Sequence, residues 1–499
     1  MNQIKVGFIG CGRISDLHFP GYLERSDARV AAVCDTNREL GEQRKKEWKA
    51  DAYYQDYREM LEDSSIDAVE ILSPQKLHEA MVIDAIKAGK HVNLQKPMTI
   101  DLESADRMLD AARQSSVVFR VSDNYVFYPP VVLAKKLIDE GEIGTPVNLR
   151  IKMIAGGSGG WEVPASAWSW RAAENSEGRG FQTFDHGHNL WAVAWFLMGS
   201  VERVCAWIDT MDGIVDSPAV MMWKYRDGAK YGSCEYNYSP QLPIPSKYYA
   251  NDEWFEITGT SGMILINRCT GNLLDGPGLS LFNQAGWKYY EKVKTDWKEG
   301  FIGSTHNFVD SIKGDVSPML TGDQAREILK LNLAISKSSQ VRREVYVDEL
   351  DAPTPWAFTK KQIREEIEAS RKKKRSPSQM PFSQGTEPIR EQDIDDLMRQ
   401  LQNRFLSEKA AGWQSVIRLE LKKDDSSSIV YFLSFSKGKF DLKKTIEAAA
   451  FDLTIRIPLI AWKDIMNGRS SIEIAFSQGD LELDGKIEDG IKLREVFDL

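Results

Sequence analysis

From residue 4 onward the chain alternates short, almost wholly apolar runs with stretches in which apolar residues recur every three or four positions. IKVGFIG, RVAAVCD, AVEILS, HVNLQKP and VVFRVSD read as strands, and GRISDLHFPGYLERS, RELGEQRKKEW, HEAMVIDAIKAG and ESADRMLDAARQS as the helices between them. Such a succession predicts a parallel sheet covered by helices on both faces, over residues 1–125. The rhythm changes near residue 126. One helix, VLAKKLIDEGEIG, closed by Gly144, leads into longer strands with Gly-rich turns: VNLRIKMIA, VERVCAWIDTM, AVMMWKYRDG, KYGSCEYNY, WFEITGTSG and MILINR. These predict a mostly antiparallel open sheet with a few helices, an α+β domain over 126–350.

At 351–389 the pattern breaks. A charged helix runs into RKKKR and then into a Ser-, Pro- and Gly-containing stretch without period, which reads as a linker. Residues 390–499 then form a self-contained block: the helix DIDDLMRQLQNRF, the strands SVIRLELKK, SIVYFLSFS and FDLTIRIPL, a helix in AWKDIMNGRSS, two strands in IEIAFSQGDLELDG and a helical tail. A third domain of α+β type is expected there.

A length of 499 residues suits this division, because single cores stop growing well before that size. The net charge of −9 excludes a general nucleic-acid binder, which needs a basic surface, so RKKKR is read as solvated linker. Five scattered cysteines without a CxxC pair fit a reducing compartment rather than a disulfide frame or zinc site. The chain opens directly into a strand pattern and holds no run of membrane-spanning length. A cytoplasmic protein without signal peptide or membrane span is therefore expected.

The first turn carries chemistry. In GFIGCGRIS the glycines stand where a strand ends and a helix starts. Gly10 permits the tight turn, Gly12 lets backbone approach a pyrophosphate at the helix N-terminus, and Arg13 and Ile14 follow beside it. Ser15 holds the third fingerprint position. The second strand ends in Asp35, where a carboxylate accepts a ribose 2′-hydroxyl and would repel a 2′-phosphate, so NAD is expected over NADP; Arg38 nearby softens that preference. Strand, loop and acid together predict a Rossmann domain.

SPQKLHEAMVIDAIKAGKHVNLQKPMTIDLESADRM, residues 73–108, resembles a stretch of the glucose–fructose oxidoreductase/inositol dehydrogenase (Gfo/Idh/MocA) family. There a Thr/Ser-Pro loop, a helix and AGKHV lead to EKP. The resemblance runs from residue 4 to about 347 through GEIGTPVNLR, Trp170-Arg171, EGRG, FEITGTSG and HNFVDSIKG. It implies an N-terminal NAD(P) domain and a C-terminal sheet that covers the nicotinamide, carries substrate residues and forms a homo-oligomer interface. It also implies that Ser73, Pro74 and His78 border the cofactor, and that Trp170 and Arg171 border the pocket. Asn124 is placed to touch the nicotinamide side. Gln95 replaces the family's glutamate and removes a negative partner from Lys96. Lys96, at a strand's C-terminal end, points into the cofactor crevice, where an ammonium can hold a substrate hydroxyl and stabilise its developing oxyanion.

The family motif D-x-G-x-H is matched by Asp185 and Gly187, but Asn189 stands where the family has histidine. His188 comes one residue early, and His186 adjoins the acid. With a helix starting near residue 186, His188 is expected as the proton acceptor and His186 as second choice, with Asp185 orienting; His186 and Asn189 are then substrate-side residues. The cluster can also be read as a metal site or as Asp185 capping a helix between solvated histidines. Hydride transfer needs no metal, so none is expected.

Of fourteen tryptophans, eleven lie between residues 161 and 356, and Trp161, Trp168 and Trp170 sit in a Gly-rich loop suited to sugar rings. The last block resembles the sterol carrier protein 2 type of domain through its first helix, WKDIMNG, IEIAFSQG and LELDGKIEDGIKLREVF. That resemblance implies an apolar tunnel and a lipid or other apolar ligand, or a structural appendage. The expected activity is NAD-dependent oxidation of a secondary alcohol of a sugar, glycoside or cyclitol, which the last domain would present if it is lipid-linked. A redox-neutral glycosidase or epimerase and a non-catalytic NAD- or lipid-binding protein are the alternatives.

Overall fold

The computed structural model describes residues 3–162, 181–210, 215–351, 391–410, 412–423, 427–444, 451–467 and 481–486, with Ala475, Asp489, Lys492, Leu493, Val496 and Phe497. The chain divides into two compact units, 1–209 with 215–353, and 354–499 with 210–214.

In the first unit, strands β1 (Ile4–Ile9), β2 (Ala28–Cys34), β3 (Ala52–Tyr54), β4 (Ala68–Ile71), β5 (His91–Gln95) and β6 (Phe119–Ser122) make a six-stranded sheet in the order 3-2-1-4-5-6. Every neighbouring pair is parallel. Helices α1 (Ser15–Leu23), α2 (Arg38–Trp48), α3 (Tyr57–Glu62), α4 (His78–Lys87) and α5 (Leu102–Arg113) alternate with them. The strands are buried on both faces, which explains why they read as unbroken apolar runs. The strand order reverses beside β1, and the crevice at the C-terminal ends of β1 and β4 is where such sheets bind ligands.

Helix α6 (Pro129–Asp139) leads into the second sheet. It ends five residues before Gly144, because Glu140 closes the last turn and Gly141 takes a left-handed φ of +79°. The sheet has nine strands: β7 (Pro146–Ser158), β8 (Val201–Ile208), β9 (Ala219–Tyr225), β10 (Tyr231–Pro243), β11 (Asn251–Gly259), β12 (Gly262–Ile266), β13 (Leu279–Asn283), β14 (Gly286–Tyr289) and β15 (Val345–Tyr346). Their order is 14-13-12-11-7-10-9-8-15, and β7 with β10 is the one parallel pair among them. One face packs on α7 (Gly187–Met198) and the first unit's large core; the other carries Trp207, Val220, Met222, Phe282, Trp287 and Tyr289 exposed. Helices α8 (Lys298–Lys313) and α9 (Gly322–Val341) return the chain to the parallel sheet, where α8 packs on α1.

The second unit holds α10 (Glu391–Asn403), a five-stranded sheet and α11 (Leu459–Met466). Strands β16 (Ser415–Lys422), β17 (Ser428–Ser436), β18 (Lys439–Lys443), β19 (Leu453–Pro458) and β20 (Glu482–Gly485) lie in the order 18-17-16-19-20, with a separate core that includes Leu401, Leu433, Trp462 and Phe497. The charged helix and linker expected at 351–389, and most of IEIAFSQG, lie outside the described residues.

Candidate active site

The dinucleotide turn is built from local constraints. Gly10 has φ +100°, and a Cβ there would stand 2.7 Å from the Leu72 carbonyl oxygen. Gly12 faces open space, with nothing within 4 Å of a would-be Cβ. Ser15 donates its hydroxyl to the Gly12 carbonyl at 2.6 Å, closing the loop onto α1. The Asp35 carboxylate accepts the backbone N–H of Cys11 through Oδ2 and of Asn37 through Oδ1, each at 2.8 Å, so the acid at the end of β2 is fixed against the glycine turn. Arg38 is exposed at the start of α2. Arg13 lies 5.1 Å from the ring centre of Trp161, which packs edge-on against Tyr248 and Tyr249.

After β4 and β6, and in the first turn of α7, several side chains carry a polar atom without a hydrogen-bond partner among the described residues. They are Ser73 Oγ and Gln75 Oε1, Asn124 Nδ2, and His188 Nε2 and Asn189 Oδ1. Gln75, Asn124, His188 and Asn189 are buried, and buried polar groups left unpaired within a fold are expected to meet a ligand or water. Acceptors and a donor together suit the amide and hydroxyls of a nicotinamide riboside, and open space at Gly12 suits the pyrophosphate. The residues fit NAD.

His78 is a correction. It is fully buried, with Nε2 2.8 Å from the Ser73 carbonyl oxygen and Nδ1 3.1 Å from those of Pro97 and Met98. Burial, the largest influence, lowers its pKa against these backbone bonds. It therefore braces the loops beneath the crevice and has no nitrogen free for a cofactor. Pro74 is exposed beside that loop. Gln95 turns back on the main chain, its Oε1 accepting the Lys96 N–H at 2.8 Å.

Lys96 follows β5 and precedes a cis proline. Its ammonium donates to the Asp185 backbone oxygen at 2.7 Å and to Asp185 Oδ1 at 3.1 Å, while Gln75 Nε2 donates to the same Oδ1 at 3.3 Å. Asp185 is not the N-cap residue of α7, which is His186. It lies in a π-helical turn, Phe181–His186, whose start is pinned by the buried Asp216, which accepts the N–H groups of Gln182 and Thr183. The two histidines differ in setting. His188 is turned inward, 1% exposed, with Nδ1 3.2 Å from Asp123 Oδ2. His186 keeps 18% of its side chain exposed and lies next to the carbonyl that holds Lys96.

Around His186 stands a set of groups that the sequence did not announce. Glu253 Oε1 lies 2.9 Å from Nε2, the Tyr125 hydroxyl 3.1 Å from Nε2, and the Tyr236 hydroxyl 3.4 Å from Nδ1. Glu253 is wholly buried; burial pushes its carboxyl up, but His186, Thr270 and Asn251 more than offset this, and it lies below the ordinary range. Its neighbour Asp252 is pushed up to about 6 by burial and by the charge of Glu253. Trp170 and Arg171 lie outside the described residues, as does Trp168.

A parallel sheet with a glycine turn, a strand-end acid and a strand-end lysine held on Asp185 is the architecture of an NAD-binding oxidoreductase. Residues 4–123 match the oxidoreductase family, NAD-binding Rossmann fold, and 131–265 match the GFO/IDH/MocA C-terminal domain, together about half of the chain. The chain belongs to this family, and residues 394–498 match the SCP-2 sterol transfer family. The chain is 25% identical over 358 residues to a myo-inositol 2-dehydrogenase of Thermotoga maritima, covering 70% of this chain and 99% of the relative. It is 29% identical over 219 residues to a levoglucosan dehydrogenase of Pseudarthrobacter phenanthrenivorans, covering 42% of this chain and 55% of the relative. A levoglucosan dehydrogenase solved with NADH and levoglucosan superposes with a TM-score of 0.59 at 23% identity, over 69% of this chain and all of that one, and shows the shared fold. No helix among the described residues is long and apolar enough to cross a membrane.

Proposed function

We propose that this oxidoreductase oxidises a secondary alcohol of a sugar or cyclitol with NAD, Lys96 holding the reacting hydroxyl and His186 accepting its proton. NAD, when bound, supplies the two-electron acceptor. The observation that carries the reading is the position of the Lys96 ammonium, at the end of β5 on the Asp185 carbonyl and sharing Asp185 Oδ1 with Gln75. A positive charge there lowers the energy of an alkoxide as it forms, and an imidazole one residue along the same turn is suited to take the proton. Trp161, Tyr248 and Tyr249, half-buried and packed edge-on, offer aromatic surface of the kind that grips polyols. The 2-dehydrogenase and levoglucosan relatives support that substrate class.

The reading is tested by incubating the full chain with NAD and a panel of inositols, hexoses, anhydrosugars and hydrophobic glycosides while following absorbance of the reduced cofactor. Stoichiometric NADH release supports a dehydrogenase. Substrate conversion without net NADH would instead make it a redox-neutral glycosidase or epimerase, and no turnover on any polyol would leave a binding protein.

For the second unit we propose an apolar ligand held in its own core, where the fully buried Trp462 carries an indole N–H without a partner among the described residues. Titration of the delipidated full chain with a fluorescent fatty acid, expected to saturate at one site, tests it; a purely structural domain would give no saturable signal.

A further inference from the structure

We propose that Glu253 is a positioning residue that holds His186 as its Nε2–H tautomer and so leaves Nδ1 as the basic nitrogen presented to the substrate. This rests on the reading of His186 as proton acceptor and assigns a role to a residue outside every motif of the sequence.

The geometry decides the tautomer. Glu253 Oε2 accepts the Thr270 backbone N–H at 3.1 Å, and Oε1 accepts the Asn251 side-chain amide. A carboxylate so held by two N–H donors presents only acceptor oxygens. The nitrogen facing it at 2.9 Å, Nε2, is therefore assigned the proton; the Asn251 amide, 3.4 Å from Nε2, donates to Oε1 of the same carboxylate. The Tyr125 hydroxyl, also near Nε2, is 2.9 Å from Thr270 Oγ1, which offers its proton another acceptor. Nδ1 is left with a lone pair whose one protein neighbour among the described residues, the Tyr236 hydroxyl at 3.4 Å, sits at the edge of hydrogen-bond reach. An acid that fixes an imidazole by one nitrogen while the other does chemistry is the logic of hydrolase triads, here serving alcohol oxidation.

The same arrangement explains why Asn189 is tolerated where the family pattern has histidine. His186 provides the imidazole from the π-turn, and Glu253 provides its anchor from β11.

The test uses the full chain labelled with ¹⁵N-histidine, which has six histidines, His186 being assigned by its loss in His186→Asn. Long-range ¹H–¹⁵N spectra at neutral pH, recorded with NAD but no substrate, are expected to show a protonated Nε2 and a bare Nδ1. Because the wild type is measured directly, the outcome does not depend on a variant folding. In Glu253→Gln the new amide must set a donor against Thr270, or against Asn251 and Nε2, so the tautomer is expected to mix or invert. Once a substrate is known, kcat should fall about a hundredfold or more with KM for NAD unchanged. A protonated Nδ1 in the wild type, or an unaltered tautomer in Glu253→Gln, overturns the proposal. If the tautomer is as expected but His186→Asn turns over at the wild-type rate, the assignment of the proton acceptor fails while the anchoring by Glu253 stands.

Discussion

The ammonium of Lys96 rests 2.7 Å from the main-chain oxygen of Asp185, a residue 89 positions further along the chain. The lysine comes from the parallel sheet and the acid from the turn that begins α7, so this hydrogen bond ties the cofactor-binding layer to the turn that carries His186. Replacing the ammonium should therefore hurt chemistry more than folding. Lys96→Met is expected to bind NAD as wild type does, by fluorescence titration, and to lose at least about two orders of magnitude in kcat. Turnover of the best substrate within a few-fold of wild type would remove Lys96 from the mechanism.

The two glycines of the first turn should separate stability from binding. A Cβ at Gly12 meets nothing within 4 Å, so Gly12→Val is expected to melt like the wild type yet bind NAD about a hundredfold more weakly or worse, its side chain filling the pyrophosphate's space. A Cβ at Gly10 would press on the Leu72 carbonyl at a φ of +100°, so Gly10→Ala should destabilise the first unit by at least about 2 kcal/mol. Calorimetry and NAD titration of both variants check the pair; equal melting losses would show that Gly12 too is structural.

Gly10, Gly12, Asp35 and Lys96 were legible in the sequence because each answers to a local rule: a left-handed turn, a backbone approach, a strand end. The ranking of His186 and His188 was not. It assumed regular helix from residue 186, whereas the π-turn Phe181–His186 adds a residue and rotates everything after it by about 100°, burying His188 on Asp123. Nothing in the apolar periodicity marks a π-turn. Glu253 was hidden for another reason. It lies just before the stretch WFEITGTSG that the sequence marked as a strand, and its partner is fixed by the β7–β11 register and the docking of α7, which are set by tertiary packing.

The outer face of the nine-stranded sheet predicts association. Register puts Trp207, Val220, Glu235, Lys152 and Trp254 in one row across five strands, and Met263, Phe282 and Trp287 in another. Trp207, Val220, Phe282 and Trp287 are exposed, and an apolar patch on a sheet face favours burial against a second copy. Light scattering of the full chain is expected to give a homo-oligomer, and Trp207→Lys combined with Phe282→Lys to shift it toward monomer without loss of NAD binding. A monomeric wild type at micromolar concentration would sink this.

Stability should respond to pH in two opposite windows. Asp348 is held to about 2 by hydrogen bonds from Arg226 and then Lys330, and Glu349 to about 2 by Arg343 and then the Tyr346 N–H. For carboxyls lowered by folding, the stabilisation is complete above the unfolded values near 4 and is lost as pH falls toward 2. Asp252 runs the other way. Burial first, and then the charge of Glu253, raise it to about 6, so its ionisation works against the fold and stability gains as pH falls from about 6 to 4. The melting temperature is thus expected to hold or rise slightly from pH 7 to about 4.5 and then drop steeply. Arg343→Met, which releases Glu349, should lower it at pH 7 and shrink the acid drop. A curve that falls steadily from pH 7, or an acid drop untouched by Arg343→Met, would show that these carboxyls do not set the acid limit of the fold.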